Sequence, residues 1–391
     1  MLTGIKFRIY PNREQLNNIN RTLGCCRWIY NHELERKSAL YRSDGKTVTY
    51  RESSATLTQL KRDSETAWLN DADSTGLQQS LRDLFKGFDN FFSGNAKYPV
   101  FKKKSDSFQS YRTEKVGNNI RIIDSRHVRL PKLGIVKAKS IRLTGGIIKH
   151  ATIEKYSTGK YFCSLCVEVH DVRLQNEGAE TGIDVGIKEF LTMSDGTIIH
   201  NPKFLKTLEK KLGREQKKLS RMIESHITGY KTVGGKRYPV FDKPIRECRN
   251  IQKQRRRIAL IHEKIANRRH DFLHKLSTRL CKENQLICCE DLNVKGMVRN
   301  RHLAKSISDV SWSMFFKMLE YKAAKYGTVL VKVPRFFASS QICSCCGYKN
   351  VQVKDLSVRI WTCPKCGVTH DRDHNSAVNV LAEGKRVSSA S

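Results

Sequence analysis

Acidic residues are scarce in this 391-residue chain. There are 38 aspartates and glutamates against 72 lysines and arginines, a formal net charge of +34. Such a charge repels itself unless a polyanion neutralises it, which makes nucleic acid the expected partner. Long apolar runs are missing too. None approaches the roughly 18 residues that cross a bilayer, and no basic amphipathic anchor stands out, so no membrane role is expected. The N-terminus, MLTGIKFRIYPN, lacks the apolar core of a secretion signal, and a reducing cytosol is the expected compartment. In that setting thirteen cysteines speak for metal ligation or burial rather than disulfides. Hydrophobic residues still make up 39%, which excludes a disordered basic tail, and the length suits two or three domains. No internal repeat is visible.

Residues 4–10 read as a strand ended by Pro11. A helix follows with Leu16, Ile19, Leu23, Cys26 and Tyr30 on one stripe. Thr49 and Glu52 fit a capping box for a second helix, and Leu77, Leu81, Leu84, Phe88 and Phe91 mark a third. In 98–112, YPVFKKKSDSFQSYR, aromatics alternate with cations. That mix fits either base stacking with phosphate contacts or a solvated loop. From 119 to 170 the pattern is β, with turns at Thr144-Gly145-Gly146 and Ser157-Thr158-Gly159. Within it Cys163 and Cys166 lie three apart on a strand, so they point to opposite faces and do not form a metal knuckle.

A different region starts near Thr181. GIDVG, EFLTMSDG and TIIH read as strands, and Pro202 as the opening of a helix. Residues 223–247 are basic, glycine-containing and aperiodic, and read as a mobile loop. A long helix with Ile258, Ile261, Ile265, Phe272, Leu276 and Leu280 in register carries Arg255, Arg256, Arg257, Arg268 and Arg269 on its other faces, which suits phosphate contact or simple solvation. The strand LICCEDL, a helix around Trp312 and the strand TVLVKV complete the order. Three strands, helix, strand, helix, strand is an α/β pattern of the RNase H kind.

Two sets of residues carry chemistry. Cys343, Cys346, Cys363 and Cys366 form two C-x-x-C knuckles, each followed by glycine, at a spacing typical of a zinc ribbon. They are expected to hold one structural Zn²⁺, with Cys345 a bystander. Asp184 sits in GIDVG, where a buried strand demands a partner for any carboxylate. Glu290 ends LICCEDL, and Asp373 stands at the entrance to a final helix. In an RNase H order the first and fourth strands are adjacent, and a C-terminal helix can bring a third carboxylate beside them. Three such oxygen donors suit two Mg²⁺ or Mn²⁺ ions and metal-assisted hydrolysis of a phosphodiester.

These residues together resemble the TnpB family of RNA-guided nucleases of bacterial insertion sequences. The resemblance is carried by KFRIYP at 6–11, the LQQSLRDLFKGFDNFF helix, YPVFKKK, GIDVG, EDLNVKGM, SSQICSCCGY, and CPKCG followed by HDRDHNSA. It implies an α+β multidomain fold. A wedge-type β-barrel would take 1–10 and 96–175, a helical recognition insert 11–95, a RuvC-like nuclease 176–335 and 371–391, and a zinc ribbon 336–370. It implies a bound guide RNA, one protein chain per guide, double-stranded DNA cut beside a short adjacent motif, and a cytoplasmic, nucleoid-associated bacterial protein. It places the family triad on Asp184, Glu290 and Asp373, preferring Asp373 to Asp371. Where the family often has N-A-A, this chain has Asn375-Ser376-Ala377. Two other readings stand beside it: a guide-independent transposase or resolvase-like nuclease, and an RNA-guided repressor that binds without cutting.

Overall fold

The computed structural model describes residues 1–142, 145–169 and 176–389. The turn expected at Thr144, and the domain limits at 175 and 391, lie outside the described residues. The chain divides into two compact units, Met1–Asp171 and Val172–Ser391.

In the first unit β1 (Leu2–Tyr10) leads into α1 (Arg13–Asp44), α2 (Tyr50–Arg62) and α3 (Ser74–Phe92). The chain then returns as β2 (Phe108–Glu114), β3 (Arg121–Asp124), β4 (His127–Leu130), β5 (Gly134–Ala138), β6 (Ile147–Tyr156) and β7 (Tyr161–Glu168). These seven strands form one antiparallel sheet in the order β2-β6-β7-β1-β5-β4-β3. Thr49 and Glu52 do close the capping box of α2. Cys163 is buried while Cys166 on the opposite face is not, as strand alternation requires. The helices are not a separate body. Ile19, Leu23 and Leu77 share one apolar core with Val128, Ile153 and Leu165 of the sheet.

The aromatic–basic stretch 98–112 is a largely exposed loop up to Ser107 that becomes strand β2 at Phe108, and the loop is anchored at several points. Asn31 exchanges two hydrogen bonds with the backbone of Lys102 (2.9 Å each), and Lys102 lies over the Tyr30 ring. Tyr98 packs edge-on against Phe88 and Phe91. Val100 and Phe101 remain exposed.

In the second unit β8 (Ala179–Val185), β9 (Glu189–Met193) and β10 (Ile198–His200) form a meander. Helix α4 (Phe204–Glu224) and the hairpin β11 (Ile227–Val233)–β12 (Lys236–Phe241) follow, then α5 (Arg249–Glu283) and β13 (Asn284–Glu290). Helices α6 (Val294–Met297), α7 (Ala304–Val310) and α8 (Trp312–Tyr326) lead to β14 (Val329–Val333). The short ladder β15 (Ile360–Thr362)–β16 (Thr369–Asp371) precedes α9 (Arg372–Ser389). The main sheet runs β10-β9-β8-β13-β14, with β13 parallel to both neighbours. Strand β13 is therefore flanked on both edges and reads as a continuous apolar run, with Ile287, Cys288 and Cys289 all buried.

Two expectations change. Residues 223–247 are not an aperiodic loop. Most form the β11–β12 hairpin, which exposes side chains on both faces and so leaves no apolar alternation to read. Pro202 does not occupy the first turn of α4. Lys203, in the left-handed region at φ +47°, stands between it and Phe204.

Candidate metal centre and zinc cluster

Asp184 is the penultimate residue of β8, paired in register with Thr192 of β9. Glu290 ends β13, the parallel neighbour of β8. Both carboxylates thus leave the sheet at the C-terminal edge of parallel strands, where α/β sheets commonly place their sites. The next residue, Asp291, points elsewhere and is ion-paired to Arg335.

The third carboxylate comes from α9, which lies directly on the sheet. A Cβ on Gly182 would stand 2.6 Å from Leu381 N and closer still to Ala377 O, so only glycine permits this approach. The two aspartates at the start of α9 have different surroundings. Asp371 caps the helix, its Oδ1 accepting from the N–H groups of Asp373 (3.0 Å) and His374 (2.9 Å). Asp373 faces Asp184 closely enough to act on its charge.

Glu290 and Asp373 lie near enough to Asp184 to act on its charge, although among the described residues only the four cysteines bring their ligand atoms within 4.8 Å of one another. The Asp184 carboxyl is pushed well above the ordinary carboxylate range, first by burial, then by the charges of Glu290 and Asp373. A hydrogen bond from Ser376 and the charge of Arg372 act in the opposite direction.

Sequence patterns gave no sign of several polar groups here. Ser339 donates to Glu290 Oε1 (2.6 Å), and Ser376 donates to Ser339 Oγ (2.9 Å). Arg359 reaches both oxygens of Asp373 (3.3 and 3.4 Å). It lies 14 positions from its partner, between the two cysteine knuckles, where no helical or strand periodicity reports a contact. A set of hard carboxylate oxygens, partly buried and mutually repelling, fits a divalent cation.

The four predicted zinc ligands do converge. The sulfur atoms of Cys343, Cys346, Cys363 and Cys366 all lie within 4.8 Å of one another. Two pairs, Cys343–Cys366 and Cys346–Cys363, stand 3.6 Å apart. A tetrahedral ion with Zn–S bonds of ~2.3 Å separates its sulfurs by ~3.8 Å, so the set suits zinc. Each knuckle is shaped the same way. Gly347 N–H and Gly367 N–H return to the carbonyls of Cys343 and Cys363 (2.9 Å each), both glycines at positive φ. Cys345 is exposed and outside the cluster.

Cluster and carboxylates are joined through α9. Asn375 and Asn379 both donate to Ile342 O (2.7 and 2.6 Å), Asn379 also to Ser339 O (2.8 Å), and Ser344 N–H donates to Asn375 Oδ1 (2.9 Å). Elsewhere, Arg269 of the long basic helix is committed to Asp309 (2.6 Å), whereas Arg255, Arg257 and Arg268 are exposed.

Comparison with known proteins agrees with this architecture. A family profile described as "Probable transposase" matches residues 164–301, and one described as "Cas12f1-like, TNB domain" matches 312–380. A "Helix-turn-helix domain" profile matches 1–46, where the structure has strand β1 and the single unbroken helix α1. Two relatives carry the name "Putative RNA-guided DNA endonuclease". One, from Streptomyces pristinaespiralis, is 36% identical over 97% of this chain and 88% of its own length. The other, InsQ of Escherichia coli K12, is 30% identical over 99% of this chain and 93% of its own. Among solved structures, a Cas12f1–sgRNA–target DNA complex aligns with TM-score 0.51 at 14% identity, covering 97% of this chain and 98% of that one. The mini-RNA-guided endonuclease CRISPR-Cas phi3 aligns with TM-score 0.52 at 11% identity, covering 98% and 92%. At these identities the structures speak for the fold alone.

Proposed function

The chain belongs to the TnpB family of RNA-guided DNA endonucleases, and on that footing we propose that Asp184, Glu290 and Asp373 are its catalytic carboxylates. The protein is an RNA-guided DNA endonuclease of a transposable element, with a guide RNA and double-stranded DNA as partners. The observation that supports the site assignment is the placement of Asp184 and Glu290 at the ends of the adjacent parallel strands β8 and β13, with Asp373 in the first turn of α9, the helix packed on Gly182. In this reading the second unit is a RuvC-like nuclease with an inserted zinc ribbon, and the sheet of the first unit is the wedge barrel with α1–α3 as its recognition insert.

Asp184, Glu290 and Asp373 would hold two Mg²⁺ or Mn²⁺ ions, which when bound activate a water and stabilise the leaving oxygen of the phosphodiester. The remaining roles belong to the protein. Ser339 orients Glu290, Arg359 balances the charge of Asp373, and the zinc ribbon holds both residues in place. Pairing of the guide with one DNA strand supplies sequence selectivity, while the cationic surface holds the backbones.

The test uses the protein with its co-purifying RNA, sequenced to define the matched target. Asp184→Ala should keep guide and target binding and lose divalent-ion-dependent cleavage. Cleavage surviving that substitution removes Asp184 from the active site. Full-rate cutting of a specific DNA by RNA-free protein would favour the guide-independent nuclease.

A further inference from the structure

The β11–β12 hairpin has no part in the chemistry above, yet its construction is specific. The strands pair only with each other among the described residues. Gly234 and Gly235, both at positive φ, form the tight two-residue turn that suits the twist of a hairpin. His226 and Asp242 meet at its neck (3.0 Å). Every residue from 230 to 240 is exposed.

A lone two-stranded hairpin is at best marginal in water and normally rests one face on a core. This one rests neither. The register puts Tyr230, Thr232, Arg237 and Pro239 on one face, and Lys231, Val233, Lys236 and Tyr238 on the other. Each face therefore carries one tyrosine and at least one cation, and on the first face Arg237 lies over the Tyr230 ring (4.6 Å). From Ile227 to Phe241 there is no acidic residue. An element lying flat on a surface would differ between its two faces. One decorated alike on both suits a cleft with two anionic walls.

Groove dimensions separate the nucleic acids. The major groove of B-form DNA, ~12 Å wide, admits a two-stranded ribbon. The major groove of A-form RNA is deep and too narrow for side chains to read. We propose that the β11–β12 hairpin inserts into the major groove of duplex DNA, with Lys231, Lys236 and Arg237 on the flanking phosphates. This rests on the reading above that the protein acts on duplex DNA.

The test compares wild type with two variants, guide-loaded for the DNA probes and stripped of RNA for the guide-RNA probe. One replaces 227–241 by a short Gly-Ser linker between His226 and Asp242. The other is Lys231→Ala/Lys236→Ala/Arg237→Ala, which keeps the hairpin backbone. The probes are the matched duplex, the matched single strand and the guide RNA. Both variants should bind the duplex about tenfold or more weakly, with the log–log salt slope shallower by roughly 2–3 for three lost phosphate contacts. Affinity for guide RNA and for the matched single strand should be unchanged. In wild type, protection of guanine N7 from methylation should extend beyond the guide-paired segment, and it should vanish in the variants. Unchanged duplex affinity overturns the proposal. So does a fall in guide-RNA affinity with duplex binding intact, which would make the hairpin an RNA-binding element. A wild type that neither binds nor cuts matched duplex would instead sink the endonuclease reading, independently of the hairpin.

Discussion

Ser339 holds Glu290 through a 2.6 Å hydrogen bond while Asn379 holds Ser339 by its carbonyl at 2.8 Å, so one buried serine ties the end of β13 to α9. The hydroxyl is a positioning group, and a hydrogen bond to a charged acceptor contributes about 1.5–3 kcal/mol. Ser339→Ala should therefore raise the Mg²⁺ concentration for half-maximal cleavage by roughly 10- to 100-fold. Zinc content should be unchanged, and weaker Mn²⁺ binding should show by calorimetry without DNA. Ser339→Thr, which keeps the hydroxyl, should restore both. A variant with weakened cleavage but normal Mn²⁺ affinity would show that the serine acts elsewhere.

Arg359 and a divalent ion compete for Asp373. One guanidinium nitrogen, Nη1, is shared between both carboxylate oxygens (3.3 and 3.4 Å). Removing it as Arg359→Gln should strengthen Mn²⁺ binding to the free protein, measured by calorimetry. Weaker binding would mean that Arg359 supports the ion rather than opposing it.

The raised Asp184 carboxyl has a signed consequence for stability. Its folded value lies above the unfolded one of about 3.9, so the folded state binds the extra proton. That contribution is fully present below the unfolded value and is lost as pH rises through the folded one. Metal-free protein should lose thermal stability over this window, and Asp184→Asn should flatten the dependence. Mg²⁺ should stabilise more at higher pH, because binding must displace the proton. A pH-independent Mg²⁺ shift in wild type would contradict this assignment.

Zinc loss should reach the carboxylates. Ile342 and Ser344 are held by Asn375 and Asn379, one turn from Asp373 and Ser376. Cys363→Ser should lower bound zinc and open the 336–370 segment to protease. It should also weaken Mn²⁺ binding to the three carboxylates, the readout that distinguishes coupling from local unfolding. Full zinc stoichiometry and stability in that variant would count against the ribbon.

Gly182→Ala tests the seat of α9. The methyl would meet the Ala377 carbonyl and Leu381 backbone, which belong to a helix and cannot rotate aside. Overpacking of this kind costs about 1–3 kcal/mol. The variant should melt several degrees lower and lose cleavage more steeply than stability. Full activity would show that α9 can shift without moving Asp373.

Much of this was legible in the sequence because it obeys short-range rules. The capping box at Thr49, the opposed faces of Cys163 and Cys166, and the knuckles at 343–347 and 363–367 each depend on spacings of two to four residues. The order of strands around Asp184 and Glu290 followed from apolar patterning. Ser339, Ser376 and Arg359 were not legible, because each meets its partner across a turn or between segments that no periodicity links. The 227–241 hairpin was missed for another reason. With no buried face, it lacks the alternation by which strands are recognised, and Gly234-Gly235 alone did not outweigh that.

The dependence of the carboxylate cluster on α9 also sets an order in time. During synthesis β8 emerges first and β13 roughly a hundred residues later, but Asp373 follows Asp184 by about 190 residues. At ~5–20 residues per second, Asp184 waits about 10–40 s for its last neighbour. The nascent chain carries Asp184 alone until β13 emerges, and then Asp184 and Glu290 without a third carboxylate until α9 settles on Gly182. On the proposed assignment, the cutting centre is the last part of the protein to be completed.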